Sequence, residues 1–412
     1  MSEVLSIARL GGKGEGIADR SGGPVFLPYA LPGERIEAEI AGDRGFIAAI
    51  LEPSLHRVTP PCPYFTRCGG CAIQHLAAPE YGAWKRGLLV HALERARLET
   101  VIAPLVDARG TGRRRVTLHV RYTGTGKAMR AEAGFMAVRS HTLIDLDHCP
   151  ILVPALASSP TIARAVGEAL KSRGKPLDVQ LTATLSGLDV DIRGAGTVGN
   201  AERLSLSELA HRFDLARLTV HGELIVSSRA PLIAMGRAQV IPPPGSFLQA
   251  TEAGEAALAE LVTAAAGGAK RVADLFCGSG PFALRLAERS SVTAMDNGEA
   301  SIQALKQGAS RTQGLKPITA STRDLFRRPL LAKELSAFDA IVFDPPRAGA
   351  EAQARQIAQA KVAKVIAVSC DTGTFARDAR ILVEGGYRLE SITPVDQFVY
   401  SAHLETVAVF SR

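Results

Sequence analysis

The feature that most constrains this chain is an alternation that begins after the turn-forming VIPPPGS and runs to the C-terminus. Apolar runs short enough for strands, RVADLF, VTAMD, AIVFD and KVIAVS, are separated by longer stretches rich in Ala, Leu, Glu and Arg. Such runs need covering on both faces, and the intervening helices supply the cover. The pattern predicts a doubly wound α/β domain with a largely parallel sheet over residues 241–412. Ligands of such sheets bind at the carboxyl ends of the strands, so the polar residue that closes each run is a candidate for chemistry.

The first run closes in Asp274-Leu275-Phe276-Cys277-Gly278-Ser279-Gly280 and leads into a helix. Gly278 and Gly280 let the backbone turn sharply and approach a ligand. The spacing is not the dinucleotide G-x-G-x-x-G, and the lysine of a P-loop is absent. It resembles motif I of S-adenosylmethionine-dependent methyltransferases. The second run ends in Asp296, about 20 residues on, where a carboxylate accepts hydrogen bonds from ribose hydroxyls. Asp324, after the next strand, could face an adenine. Turn and acidic strand end together favour a nucleoside cofactor over the plainer alternative, a structural turn with Asp296 as a helix cap.

The fourth run delivers Asp344-Pro345-Pro346-Arg347, and the fifth delivers Cys370. Neighbouring strand ends would bring carboxylate and thiol into one cleft, and a buried Asp is costly unless it has work or a partner. Pyrimidine C5 is a poor nucleophile until a thiolate adds to C6; the ring then becomes an enolate whose C5 can attack a methyl sulfonium. A base must afterwards remove the C5 proton, and a donor must meet the charge on O4. Glu405, opening the strand-like ETVAVF, is the candidate base.

The front of the chain reads differently. Alternating segments divided by Gly-rich and Pro-Gly turns predict a small β-barrel over 1–54. A central domain is expected over 55–240. Its helix, EYGAWKRGLLVHALERARL, puts Trp84, Leu88, Leu89, Ala92, Leu93 and Ala96 on one side and Lys and Arg on the other, and is expected to pack on its own domain. An antiparallel sheet with few helices follows. No apolar run approaches the ~18 to 20 residues of a membrane span, and the start lacks a secretion signal, so a cytoplasmic monomer without membrane partners is expected.

The net charge of +7 favours a polyanionic partner. Residues 1–50 are nevertheless acidic, with five basic against seven acidic residues, whereas 101–150 carry eight against four. Arg113, Arg114 and Arg115 fit a solvated loop or a phosphate-contacting patch equally well. Among the six cysteines, Cys62, Cys68 and Cys71 form C-x5-C-x2-C, with Cys149 far downstream. Three ligands on one loop and a distant fourth suit a cubane iron-sulfur cluster better than a zinc ribbon, although zinc stays open.

The ordered set SFLQA, DLFCGSG, DPPRAG, VSC and HLETV resembles the RNA uracil-5 methyltransferases. The resemblance implies a multidomain α/β protein: a C-terminal Rossmann-like S-adenosylmethionine methyltransferase domain, an N-terminal OB-like TRAM β-barrel, and a central domain with a [4Fe-4S] cluster on Cys62, Cys68, Cys71 and Cys149. It implies Cys370 as nucleophile, Glu405 as base and Asp344 on the uracil edge. Phe247 and Arg347 would contact substrate, and Gln249 substrate or cofactor. Asp274, Phe276, Gly278, Gly280, Asp296, Asp324 and Asp344 would line the S-adenosylmethionine site. Members with both barrel and cluster act mainly on 23S rRNA, others on tRNA.

Two departures stand out. Asp371-Thr372 replaces the usual Asn-Pro after the nucleophile, and an anion there opposes a thiolate unless paired or turned away. Phe-Leu-Gln replaces Phe-Phe-Gln. Two rival readings remain: an amino-group methyltransferase, since D-P-P also resembles N-P-P-Y, and a non-catalytic RNA-binding iron-sulfur protein.

Overall fold

The computed structural model describes residues 2–412. The C-terminal half is built on a nine-stranded sheet. Seven of its nine strands are β1 (Arg271–Leu275), β2 (Ser291–Asp296), β3 (Ile318–Thr322), β4 (Ala340–Phe343), β5 (Lys364–Ser369), β6 (Arg388–Asp396) and β7 (Glu405–Ser411). They lie in the order β3-β2-β1-β4-β5-β7-β6, with the first five parallel and β7 antiparallel to both β5 and β6. Successive side chains of a strand point to opposite faces. Accordingly Val272, Val342, Ile366 and Val407 enter one apolar core, and their neighbours Ala273, Ile341, Val365 and Ala408 enter the other.

The sheet recruits chain from outside the stretch that predicted it. Val101–Ile102 and Val106–Asp107 pair in parallel with β6 and cover what would otherwise be an open edge. Helix α1 (Ala78–Ala96) inserts Leu89 and Leu93 into the same core as β4 and β5. The expectation that this helix packs on its own domain is therefore corrected. The ribbon Ile233–Met235 and Ala238–Val240 likewise joins the C-terminal core.

Lys85 of α1 was expected on the polar side and is instead fully buried. It lies in the buried stripe Tyr81, Lys85, Leu89, Ala92, which is spaced as a helix face requires. Its Nζ donates to Asp396 Oδ1 at 2.8 Å, to the carbonyl of Phe398 at 3.2 Å and to that of His403. Tyr81 donates to the other Asp396 oxygen at 2.6 Å and accepts from the Tyr400 amide at 3.0 Å. This knot fastens the connection between β6 and β7.

The central region is a seven-stranded sheet, antiparallel except where Gly187–Arg193 runs parallel to Arg217–Val220. Helices Ser159–Ala169 and Asn200–Arg212 share its core. Residues 2–52 form a six-stranded sheet wrapped on Leu5, Val25, Leu27 and Ile36. Trp84 ties α1 to that unit by donating to the Gly11 carbonyl at 3.0 Å. No helix among the described residues is long and apolar enough to cross a membrane.

Lys85→Met leaves Asp396 buried and uncompensated, so it is expected to cost roughly 3–5 kcal/mol of stability. Urea unfolding of the purified variant beside the wild type measures this.

Candidate active site

Strand register assembles the site. Ser369 of β5 pairs with Thr406 of β7 at the last step of that ladder, so Cys370 directly follows and Glu405 directly precedes the final pair at the carboxyl end of β5, near enough for the carboxyl to raise the thiol. Leu275 is level with both Met295 and Phe343, which sets Phe276, Asp296 and Asp344 along the same edge of the sheet. Glu405 is buried, with one oxygen unpartnered. Burial and the nearby Asp344 push its carboxyl up to about 8. Burial likewise lifts Asp344 to about 7. Cys370 is half-buried; burial, then Glu405 and Asp344, raise its thiol to about 11, with Arg347 acting the other way.

Asp371 does not confront the thiol. Its Oδ1 accepts from the amides of Gly373 at 3.0 Å and Thr374 at 2.9 Å, so it caps helix α2 (Thr372–Glu384). Thr372 occupies the first helical position, one that also suits proline, and the replacement of Asn-Pro thus preserves the helix start.

The carboxylates are joined by amides. Gln249 Nε2 donates to Asp344 Oδ2 at 3.3 Å, and Gln397 Nε2 donates to Gln249 Oε1 at 2.5 Å and to Glu405 Oε1 at 3.1 Å. Arg114 holds the Gln249 segment: its Nε donates to the Gln249 carbonyl at 3.1 Å, its amide to that of Ala250 at 3.0 Å, and its guanidinium pairs with buried Glu255 at 2.5 Å.

The glycine turn behaves as its sequence requires. Gly280 has φ +92°, and a Cβ there would lie 2.4 Å from Leu305. Phe276 also adopts a left-handed φ of +63°, a conformation strained for an aromatic residue, and its ring packs on Phe326 with centroids 5.3 Å apart. Asp296 accepts from the amides of Gly278 at 3.0 Å and Gly298 at 2.8 Å. Asp324 accepts from the Phe326 and Arg327 amides. Asp274 is fully buried, and among the described residues neither oxygen has a well-formed hydrogen bond; burial, Asp344 and Asp296 hold its carboxyl well above the ordinary range, with the Ala283 amide acting the other way.

A sequence model of the tRNA (Uracil-5-)-methyltransferases matches residues 242–412. An uncharacterized RNA methyltransferase of Brucella suis is 45% identical over 408 residues, covering 99% of this chain and 97% of that protein. The 23S rRNA (uracil(1939)-C(5))-methyltransferase of Chromohalobacter salexigens is 34% identical, covering 100% of this chain and 90% of that protein. The chain belongs to the RNA uracil-5 methyltransferases. These enzymes use S-adenosylmethionine to methylate uracil C5 in RNA. The tRNA (uracil-54, C5)-methyltransferase of Pyrococcus abyssi, solved with S-adenosyl-L-homocysteine, shares the fold with a TM-score of 0.76 at 22% identity over 99% of both chains.

In this methyltransferase the arginine triplet divides its labour. Arg114 is a buried tie, whereas Arg115 lies over the ring of exposed Phe247 at 5.3 Å and Arg113 over Phe398 at 5.5 Å. These four line one cleft of about 300 Å³ beside the strand ends. The solvated-loop alternative is thereby corrected. Arg347 is exposed and within 3.1 Å of His403 Nε2.

Cys62, Cys68, Cys71 and Cys149 line one cavity of about 80 Å³, which shares Arg113, Phe135 and Ile151 with that cleft. Among the described residues, no group of three or more Cys, His, Asp or Glu side chains converges to hold a metal ion. The fold thus brings the expected ligands together without establishing an iron-sulfur domain.

Sequence reading missed Gln397, Tyr81 and Lys85. The last two carried a signal, the regular 81-85-89 stripe; Gln397 carried none.

Glu405 and Asp344 both have folded values above their ordinary ones, so folding takes up protons. Their contribution to stability therefore falls as pH rises from about 4.5 toward 8. Glu405→Gln removes a charge that folding must bury. Thermal melts should show this variant gaining on the wild type between pH 5 and 8, with the gap closing at the acid end.

Proposed function

We propose that this enzyme methylates C5 of a specific uridine in 23S rRNA through a covalent adduct between Cys370 and C6. The observation that supports the mechanism is the end of the β5–β7 ladder, where Cys370 follows and Glu405 precedes the last pair, Ser369 and Thr406, and the carboxyl acts on the thiol. Cys370 releases its proton to solvent, the thiolate being favoured by Arg347, and adds to C6; the 5,6 π pair becomes an enolate on the C4 carbonyl and makes C5 nucleophilic. S-adenosylmethionine supplies the methyl group and departs as S-adenosylhomocysteine. Glu405 takes the proton from C5, and the electron pair of that C–H bond restores the 5,6 double bond as Cys370 is expelled. Asp344, raised to about 7, keeps a proton to offer the uracil edge, while Gln249 occupies its other oxygen.

Asp274, Phe276, Gly278, Gly280, Asp296 and Asp324 form the cofactor site in this reading, with the Phe276–Phe326 pair beside the adenine. The target base leaves its stack to enter the cleft, where Phe247 contacts it and Arg347 meets the backbone nearby. The choice of 23S rRNA is supported by the 34% identity with the Chromohalobacter enzyme over the full chain. The six-stranded N-terminal unit is read as the TRAM-like RNA-binding module, and the protein as a cytoplasmic monomer.

We also infer that Cys62, Cys68, Cys71 and Cys149 hold a [4Fe-4S] cluster. Their lining of a single cavity supports this, and four thiolates are the ligand set such a cluster takes. When bound, the cluster would tie the 62–71 loop to the Cys149 segment; no methylation step needs its redox chemistry. Protein purified without oxygen should contain iron and acid-labile sulfide in equal amounts and absorb broadly in the visible. Zinc without sulfide would overturn the assignment.

Cys370→Ala should abolish turnover and the covalent adduct with 5-fluorouridine RNA while retaining S-adenosylmethionine binding in calorimetry. Full turnover by this variant would point instead to amino-group transfer. Mass-spectrometric mapping of a deletion strain should show one 5-methyluridine lost from 23S rRNA; loss from tRNA alone would reassign the substrate.

A further inference from the structure

Gln397 is buried with no exposed surface, belongs to none of the motifs that mark the site, and touches both carboxamide and carboxylate of the catalytic set. Its orientation is dictated from outside. The Thr251 backbone amide, which can only donate, points at Gln397 Oε1 at 3.4 Å. That fixes the Gln397 carbonyl toward Thr251 and turns its NH2 group to the other side. Both of its protons are then spent: one on Gln249 Oε1, the other on Glu405 Oε1. Gln249, accepting through its oxygen, must in turn present its own NH2 group to Asp344. A single direction of donation therefore runs from Gln397 outward to the two acids.

Room for this side chain is built in. A Cβ on Gly254 would lie 2.7 Å from the Gln397 Cβ and 2.7 Å from its Oε1, so the helix-start glycine is what admits it. Asp396, the next residue back, is held by Lys85 and Tyr81, which fixes the backbone that bears Gln397.

We propose that Gln397 is a positioning residue that holds Glu405 in the orientation and ionised form needed to take the C5 proton. This inference rests on the covalent mechanism proposed above and adds to it a residue acting through Glu405. A hydrogen bond donated to a carboxylate favours its charged form, and among the described residues Gln397 supplies the one side-chain donor on Glu405 Oε1 while Oε2 has none. The groups that act on Glu405 from the packed elements are Asp344, which opposes its charge, and Arg347, which favours it. Cys370 lies just past the last β5–β7 pair, and Glu405 acts on its thiol. Losing the donor moves the carboxyl further up, so less of the base is ionised at neutral pH.

The test separates proton removal from the steps before it. With 5-fluorouridine RNA, C5 carries no proton, so adduct formation reports thiol addition and methyl transfer but not base action. Gln397→Leu should form this adduct at the wild-type rate and bind S-adenosylmethionine normally. Its turnover on uridine RNA should fall about tenfold at pH 7, recovering as pH rises by about one unit, as a one-unit change in the base requires. Gly254→Ala, which presses on Gln397 from the helix side, should reproduce the phenotype and keeps the test available if Gln397→Leu fails to fold. Wild-type turnover and pH profile in Gln397→Leu would overturn the proposal. Adduct formation and turnover falling together at every pH would overturn it too, marking a merely structural role. Absence of any adduct in the wild type would instead bring down the covalent mechanism on which the inference rests.

Discussion

The active site depends on one buried ion pair. Lys85 has no exposed surface, and burial alone would pull its pKa down; Asp396 acts against that by neutralising it. An ammonium in such a setting is tolerated only with good geometry and with its remaining protons bonded, and here the carbonyls of Phe398 and His403 accept them. A hydrophobic pair would fill the same volume, but it would not specify where the carbonyls of the β6–β7 connection go. The pair thus fixes the path of residues 396–403, and that path carries Gln397 and Phe398 and leads directly into Glu405.

The same connection joins the catalytic domain to the cysteine loop. The amides of Ala72 and Ile73 donate to the Tyr400 carbonyl at 2.8 and 3.3 Å, immediately after Cys71. Leu31, Ile73, Leu76 and Tyr81 form a small apolar core against which Tyr400 and Trp84 pack. The cysteine loop is thus bonded directly to the loop preceding Glu405. Arg114 makes a corresponding tie from the central sheet, gripping the Gln249–Ala250 backbone and Glu255, which also pairs with Arg285 at 2.9 Å. The strand-end cleft is thus tied both to the cysteine loop and to the segment that leads into the central sheet.

Its electrostatics follow from crowding acids at strand ends. Asp274, Asp344 and Glu405 are each held above their ordinary pKa by burial, and Asp344 raises both Asp274 and Glu405 further, so not all can be charged together. Groups that share protons near neutrality suit a reaction in which a donor and a base must act on opposite sides of one ring. The amide chain through Gln249 and Gln397 joins two of these acids without adding charge.

The sequence by itself determined the C-terminal sheet, because the period and length of its apolar runs follow from local side-chain alternation. It also determined the strand-end residues, because such sheets present their ligands at those ends. Asp344 and Cys370 could be singled out for that reason, whereas Glu405, which opens its strand, was singled out only by the chemistry asked of a base and by the family motif around it. Only the tertiary structure decided that α1 and residues 101–107 complete the sheet, since pairing to the β6 edge is a nonlocal choice that short apolar segments do not encode. It alone buried Lys85, because a charge is stable inside only where a partner more than three hundred residues away meets it. It alone assigned Asp371 to a helix cap and Gln397 to the site: a lone glutamine or aspartate has no periodicity, and its role is set by whichever donors and acceptors the fold brings within reach.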